Sequence, residues 1–115
     1  MLLLFDHGTP IGLVRALPEH TVHTAQAKGW GTLSNGALLS AAEGAGFEVL
    51  LTTDRRIRYQ QNLRERRIAL VVLTGTTKWS RVRQHTNQVA VAVTAATAGS
   101  YSEVHIPLEP KTPQP

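Results

Sequence analysis

The sequence predicts an α/β fold on a mostly parallel, five-stranded sheet, and three observations carry that expectation. "MLLLF" and "IALVVL" are continuous apolar runs of strand length, the pattern of strands covered on both faces. Between such runs lie segments with helix caps or with apolar residues recurring at three and four. Alternating strands and helices pack as helices against a largely parallel sheet, joined by right-handed crossovers. At 115 residues and 12.5 kDa the chain makes one domain, long enough to bury roughly two-thirds of the surface its unfolded form would expose.

The elements follow in order. Met1 to Phe5 is the first strand, and "DHGTP" turns the chain. Pro10 suits the first position of a helix capped by Thr9, with Ile11, Leu13, Val14 and Leu17 as a short apolar face ending at Pro18. "HTVHTA" alternates as a short strand that buries Val22. "QAKGWGTL" is a loop, and Ser34 then caps a helix through Leu38, Leu39, Ala41, Ala42 and Ala45. Gly46 stops that helix by supplying a positive φ. Phe47 to Thr53 is the third strand and Ile68 to Leu73 the fourth, with an irregular helical turn between them. Trp79, Val82, His85 or Thr86, Val89 and Val93 recur at helical spacing, which predicts one long helix from about Lys78 to Ala96. "YSEVHI" is the fifth strand, and "PLEPKTPQP" holds four of the six prolines, the composition of a tail without structure of its own.

Charge narrows the class of partner. The formal net charge of +4 favours an anionic partner. Half of the twelve basic residues are arginines between positions 55 and 67, namely Arg55, Arg56, Arg58, Arg64, Arg66 and Arg67, with one acid, Glu65, among them. That concentration says more than the total. Few aromatics accompany it, chiefly Tyr59 and Trp79, so base stacking has few platforms. No apolar run approaches the roughly 20 residues of a membrane helix, and "MLLLF" is cut short by Asp6 without a basic leader, so no membrane partner is expected. The absence of cysteine excludes disulfides and thiolate metal sites and fits a cytoplasmic location.

In open α/β sheets the ligand site lies beyond the carboxyl ends of the strands, where strand order reverses. Asp6 and Asp54 are each the first charged residue after an apolar strand. With strands one and three adjacent, both carboxylates reach one divalent ion, and their mutual repulsion without it is expected to raise one carboxyl pKa. Asp is also a common turn former and helix cap at strand ends, so the pattern admits a purely structural reading. The arginines have the same double reading, as phosphate ligands or as a solvated connector.

"LLLFDHGTP", "LSNGALLSAAEGAGFEVLLTTD" and the segment after Asp54 resemble the PIN-like proteins, relatives of the PIN-domain ribonuclease toxins of bacterial toxin–antitoxin pairs. The resemblance covers nearly the whole chain to Pro107. It implies a single three-layer, Rossmann-like domain over residues 1–107 with a Pro-rich disordered tail over 108–115. It further implies Mg or Mn held for hydrolysis of RNA phosphodiesters, a small antitoxin protein as partner, and a homodimer as a further option. Asp6 matches the family's first carboxylate and Asp54, in "TTD", the last; the middle position falls on Asn35, whose amide oxygen can ligate a hard cation but adds no charge. Glu43 lies roughly 12 Å along the same helix at 1.5 Å per residue, too far to compensate unless the helix points along the site.

On this reading Asp6, Asp54 and Asn35 are the catalytic and metal-binding residues, and Arg55, Arg56, Arg58, Thr9 and Thr53 the substrate ligands, with Gln60 or Asn62 able to join them. Two rivals stand beside it. A scaffold of the same fold that binds RNA or a protein partner without cutting is favoured by Asn35. A phosphoacceptor receiver domain would fit Asp6, Asp54 and Thr74, but it requires a second acid where His7 stands and a lysine where Ile106 and Pro107 close the last strand. His20 and His23 on a short strand face opposite ways and make a poor metal pair, and Trp30 between glycines is read as packing.

Overall fold

The computed structural model describes residues 1–57 and 62–108. Five strands, β1 (Leu2–Phe5), β2 (Thr21–Thr24), β3 (Val49–Thr52), β4 (Ala69–Gly75) and β5 (Tyr101–Ile106), form one sheet in the order β2-β1-β3-β4-β5. Every pairing is parallel, which sharpens the expectation of a mostly parallel sheet. The chain lays β2 on one side of β1 and then places β3 on the other, so strand order reverses at the β1/β3 seam. Along that seam Leu3 pairs with Val49, Leu4 with Leu50 and Phe5 with Leu51.

Apolar residues alternate across the sheet into two cores, as strands buried on both faces require. On one face Leu3, Phe5, Val49, Leu51, Val71 and Leu73 pack against Leu13 and Leu17 and against Val82, Val89 and Val93. On the other, Leu4, Leu50, Leu70 and Val72 pack against Leu38, Leu39 and Ala42 of α1 (Asn35–Gly44), together with Phe47, Ile57 and Ile68. Helical segments therefore cover both faces, giving three layers. No helix among the described residues is long and apolar enough to cross a membrane.

The caps of α1 are those the sequence predicts. The Ser34 hydroxyl accepts from the Ala37 N–H at 3.4 Å, and Gly46 leaves the helix at φ +87°, a conformation L side chains rarely adopt. Three other elements differ from expectation. The segment after β1 is a 3-10 helix over Ile11–Ala16, with Pro10 rather than Thr9 preceding its first residue and no side-chain cap. Pro18 forces the residue before it out of the α region, and Leu17 sits at φ −125°, ψ 50°. Too little chain remains between the two prolines for a regular α-helix.

The long helix predicted from Lys78 to Ala96 is interrupted. Its pieces are α2 (Trp79–Val82), a 3-10 turn over Arg83–His85, and α3 (Thr86–Ala95). Val82, Val89 and Val93 are buried as the spacing requires, but the six residues between Val82 and Val89 are all polar. Nothing apolar pins that turn to the sheet, and the ring of His85 instead meets Gln88 Oε1 at 3.0 Å. Finally, Val22 is only half-buried because β2 is an edge strand. Of the Pro-rich tail, Leu108 is exposed and the remainder lies outside the described residues.

Candidate functional site

Asp6 and Asp54 leave the carboxyl ends of β1 and β3, the two strands at the reversal of order. A residue that sequence reasoning passed over joins them. Thr52, the last residue of β3, has no solvent exposure. Its hydroxyl donates to Asp6 Oδ2 at 2.8 Å and accepts from the Asp54 N–H at 3.1 Å. The other Asp6 oxygen, Oδ1, accepts from the His7 N–H at 2.7 Å. One buried hydroxyl thus fixes one carboxylate directly and the turn bearing the other. The signal was available: a threonine that ends an otherwise apolar strand must find partners for its buried hydroxyl.

Asp54 is held on several sides. Its Oδ1 accepts from the Arg56 N–H at 2.9 Å and from Arg56 Nε at 3.2 Å, and its Oδ2 accepts from Arg56 Nη2 at 3.3 Å and from Asn35 Nδ2 at 3.1 Å. The Arg56 side chain is 78% exposed and that of Asp54 24%. The Arg56 hydrogen bonds, aided by that of Asn35, hold the Asp54 carboxyl down to about 2 from an ordinary 3.8. The expectation that repulsion raises one carboxyl is therefore not met at Asp54, where a nearby guanidinium outweighs any acid. Asn35, at the first turn of α1, does reach Asp54, but it presents its N–H rather than its carbonyl oxygen to that carboxylate.

The remaining residues divide. The Thr9 hydroxyl donates to the Leu51 carbonyl at 3.1 Å, tying the first turn to β3. Thr53 lies against Gly8, which takes φ +87° and whose missing Cβ would sit 3.3 Å from Thr53 Oγ1. Arg55 is exposed at the same edge, and Arg58 and Gln60 lie outside the described residues. Asn62 accepts from the Arg64 N–H at 3.2 Å and so serves its own turn. Arg66 and Arg67 are engaged elsewhere: Arg66 Nη1 meets Glu43 Oε1 at 2.6 Å, and the Arg67 N–H donates to Glu43 Oε2 at 2.7 Å. Glu43 is thereby committed to the connector and does not supplement the acids. The arginine cluster thus contains both structural and solvent-facing members.

Beside Asp6, on the side away from Asp54, lies a cleft of about 330 Å³ whose walls include Gly8, Thr9, Ile11, Thr24 and Gln26. A larger groove of about 440 Å³ runs between α3 and β5, but it is shallower and contains none of the predicted site residues. The smaller one holds Asp6 and Thr9 and opens on the β2 side of Asp6, next to the β1/β3 reversal and not at it. The histidines stay apart. His20 Nδ1 lies 3.1 Å from the Met1 amine, His23 packs edge-on against Phe47, and His105 Nδ1 lies 3.1 Å from the Thr74 hydroxyl. Trp30 packs against Phe47 at 6.0 Å between ring centroids, the packing role expected of it.

A divalent cation would find oxygen donors on Asp6 and Asp54. Among the described residues, no group of three or more His, Cys, Asp or Glu converges on one point. Among the described residues the share of a coordination sphere offered here is two carboxylates, with the Asn35 amide able to add its oxygen only by turning over, since its N–H now faces Asp54. That share suits Mg or Mn, which commonly take one or two carboxylates and complete their shell with water and phosphate oxygens. For Asp54 to serve, exposed Arg56 must swing aside. The receiver alternative shares the strand order, yet His7 and Ile106 stand where its second acid and lysine are needed. Compared with known proteins, the chain matches no family model, no curated protein and no solved structure.

Proposed function

We propose that this protein is a PIN-like, metal-dependent endoribonuclease, a toxin-like component neutralised by a small antitoxin protein in the cytoplasm, and that its site is the β1/β3 edge. The observation that carries the reading is the Thr52 hydroxyl, which binds Asp6 and the Asp54 turn together at the edge where α/β sheets take their ligands. Asp6, Asp54 and the Asn35 amide would hold Mg or Mn. Such an ion, when bound, polarises a phosphoryl oxygen and lowers the pKa of bound water. Thr52 fixes the Asp6 carboxylate and the backbone of the Asp54 turn, and leaves the Asp54 side chain to exchange Arg56 for a ligand. Arg55 and Arg56, exposed beside Asp54, supply charge-assisted hydrogen bonds to phosphate oxygens. Thr9 and Gly8 shape the turn under which the strand would lie.

A second reading, a scaffold of the same kind that binds RNA or a partner without cutting it, draws on one specific contact. Asn35 donates to Asp54 where a third acid would add charge, and Arg56 already neutralises that carboxylate. Calorimetric titration with Mn, followed by incubation with single-stranded RNA with and without EDTA, separates the two. The nuclease reading expects Mn binding that Asp54→Asn abolishes, and cleavage that EDTA stops. RNA binding with neither Mn binding nor cleavage would overturn it in favour of the scaffold.

A further inference from the structure

Arg56 makes three hydrogen bonds to a single carboxylate two residues away, one from its backbone and two from its guanidinium. Such a pair on an exposed side chain is weak and easily exchanged. Its geometry matters more than its strength. The guanidinium covers both Asp54 oxygens and so stands where a bound cation would have to approach them. Arg55, next to it, makes the same contribution to local charge without lying on a carboxylate.

We propose that Arg56 is a built-in counter-ion of Asp54 that is exchanged for the divalent cation, so that metal and phosphodiester enter the site as a coupled pair. The inference rests on the nuclease reading of this edge. Were Asp54 to take a cation, the Arg56 guanidinium would lose its carboxylate and stand beside Asp54 with donors free for a phosphate oxygen. With no metal present, the same guanidinium is occupied and Asp54 is neutralised, so the empty site repels RNA phosphates less than two bare carboxylates would. On this account Arg56 decides when Asp54 is available and then offers its own freed donors to phosphate.

The test uses the intact protein and Mn alone, by calorimetry. Arg56→Ala removes the competing ion and should tighten Mn binding roughly two- to fivefold, the range of an exposed pair. Arg55→Ala removes an equal charge without a pair and should change it by less. In the wild type, Mg should strengthen binding of a short single-stranded RNA, read by anisotropy, and shift the Arg56 Nε–H resonance; in Arg56→Gln, which keeps much of the side chain, the Mg-dependent gain should shrink. Equal Mn affinity in wild type and Arg56→Ala, or an Arg56 resonance that does not move with Mg, would overturn the exchange and leave the nuclease reading standing. Failure of every variant to bind Mn would overturn both.

Discussion

At the residue scale the site depends on a hydroxyl. Replacing Thr52 by valine keeps the shape but leaves a half-buried Asp6 oxygen without its donor and the Asp54 N–H without its acceptor. Leaving fully buried polar groups unpaired costs about 1–3 kcal/mol, so at these half-buried groups Thr52→Val should lower the urea midpoint by the low end of that range, and Mn affinity should fall with it because Asp6 loses its tie to the Asp54 turn. Thr52→Ser should restore both. Asp54 gives a pH signature. Its folded-state pKa, about 2, lies below the ordinary 3.8, so the pair stabilises the fold above the ordinary value and that contribution is lost as pH falls through about 2. Stability curves of wild type and Asp54→Asn, followed by circular dichroism, should therefore draw together as pH drops from about 4 through about 2, as Asp54 becomes protonated in the folded state. Asp6 and Asp54 were legible because a charge ending an apolar strand stands out. The contacts of Arg56 were not, since six neighbouring arginines look alike until the turn decides which one folds back.

At the element scale, the connector between β3 and β4 is fastened to α1 through Glu43. Burial pushes the Glu43 carboxyl up, but Arg66, by hydrogen bond and charge, and the Arg67 N–H together hold it below its ordinary range. The side chains of Arg66 and Glu43 are 20% and 12% exposed, so this pair lies between a surface and a buried one. Glu43→Gln should destabilise the protein by about 1–3 kcal/mol, measured by denaturant unfolding, and should make the 62–67 amides exchange faster. The boundaries of α1 were readable from Ser34 and Gly46 because caps are local chemistry. The 3-10 segment and the break before α3 were not, because each reflects the fit of a segment to the sheet beneath it. An apolar periodicity with a polar gap gives no sign of whether the helix continues across.

At the scale of the whole molecule, the layered architecture followed from continuous apolar runs alternating with helical segments, and the cores on both faces of the sheet are its direct result. Strand order did not follow from that pattern, since a run buried on both faces reads the same wherever it lies in the interior. β2 and β5, with their polar alternation, betray their places at the two edges. The reversal of order at β1/β3 has a kinetic consequence. Leu2 pairs with Thr21, Leu50 with Leu70 and Leu70 with Tyr101, whereas Leu4 must find Leu50. The β1/β3 seam is thus the least local pairing in the sheet, and closing distant contacts costs more chain entropy and slows folding. The Thr52–Asp6 bond lies on that seam and spans 46 residues. In a chain with β1–β2 formed on one side and β3–β4–β5 on the other, most of the ladders are held yet Asp6 and Thr52 are still apart. Joining Asp6 to the Asp54 turn therefore requires the same long-range seam that joins the two halves of the sheet, so the site cannot form in either half alone.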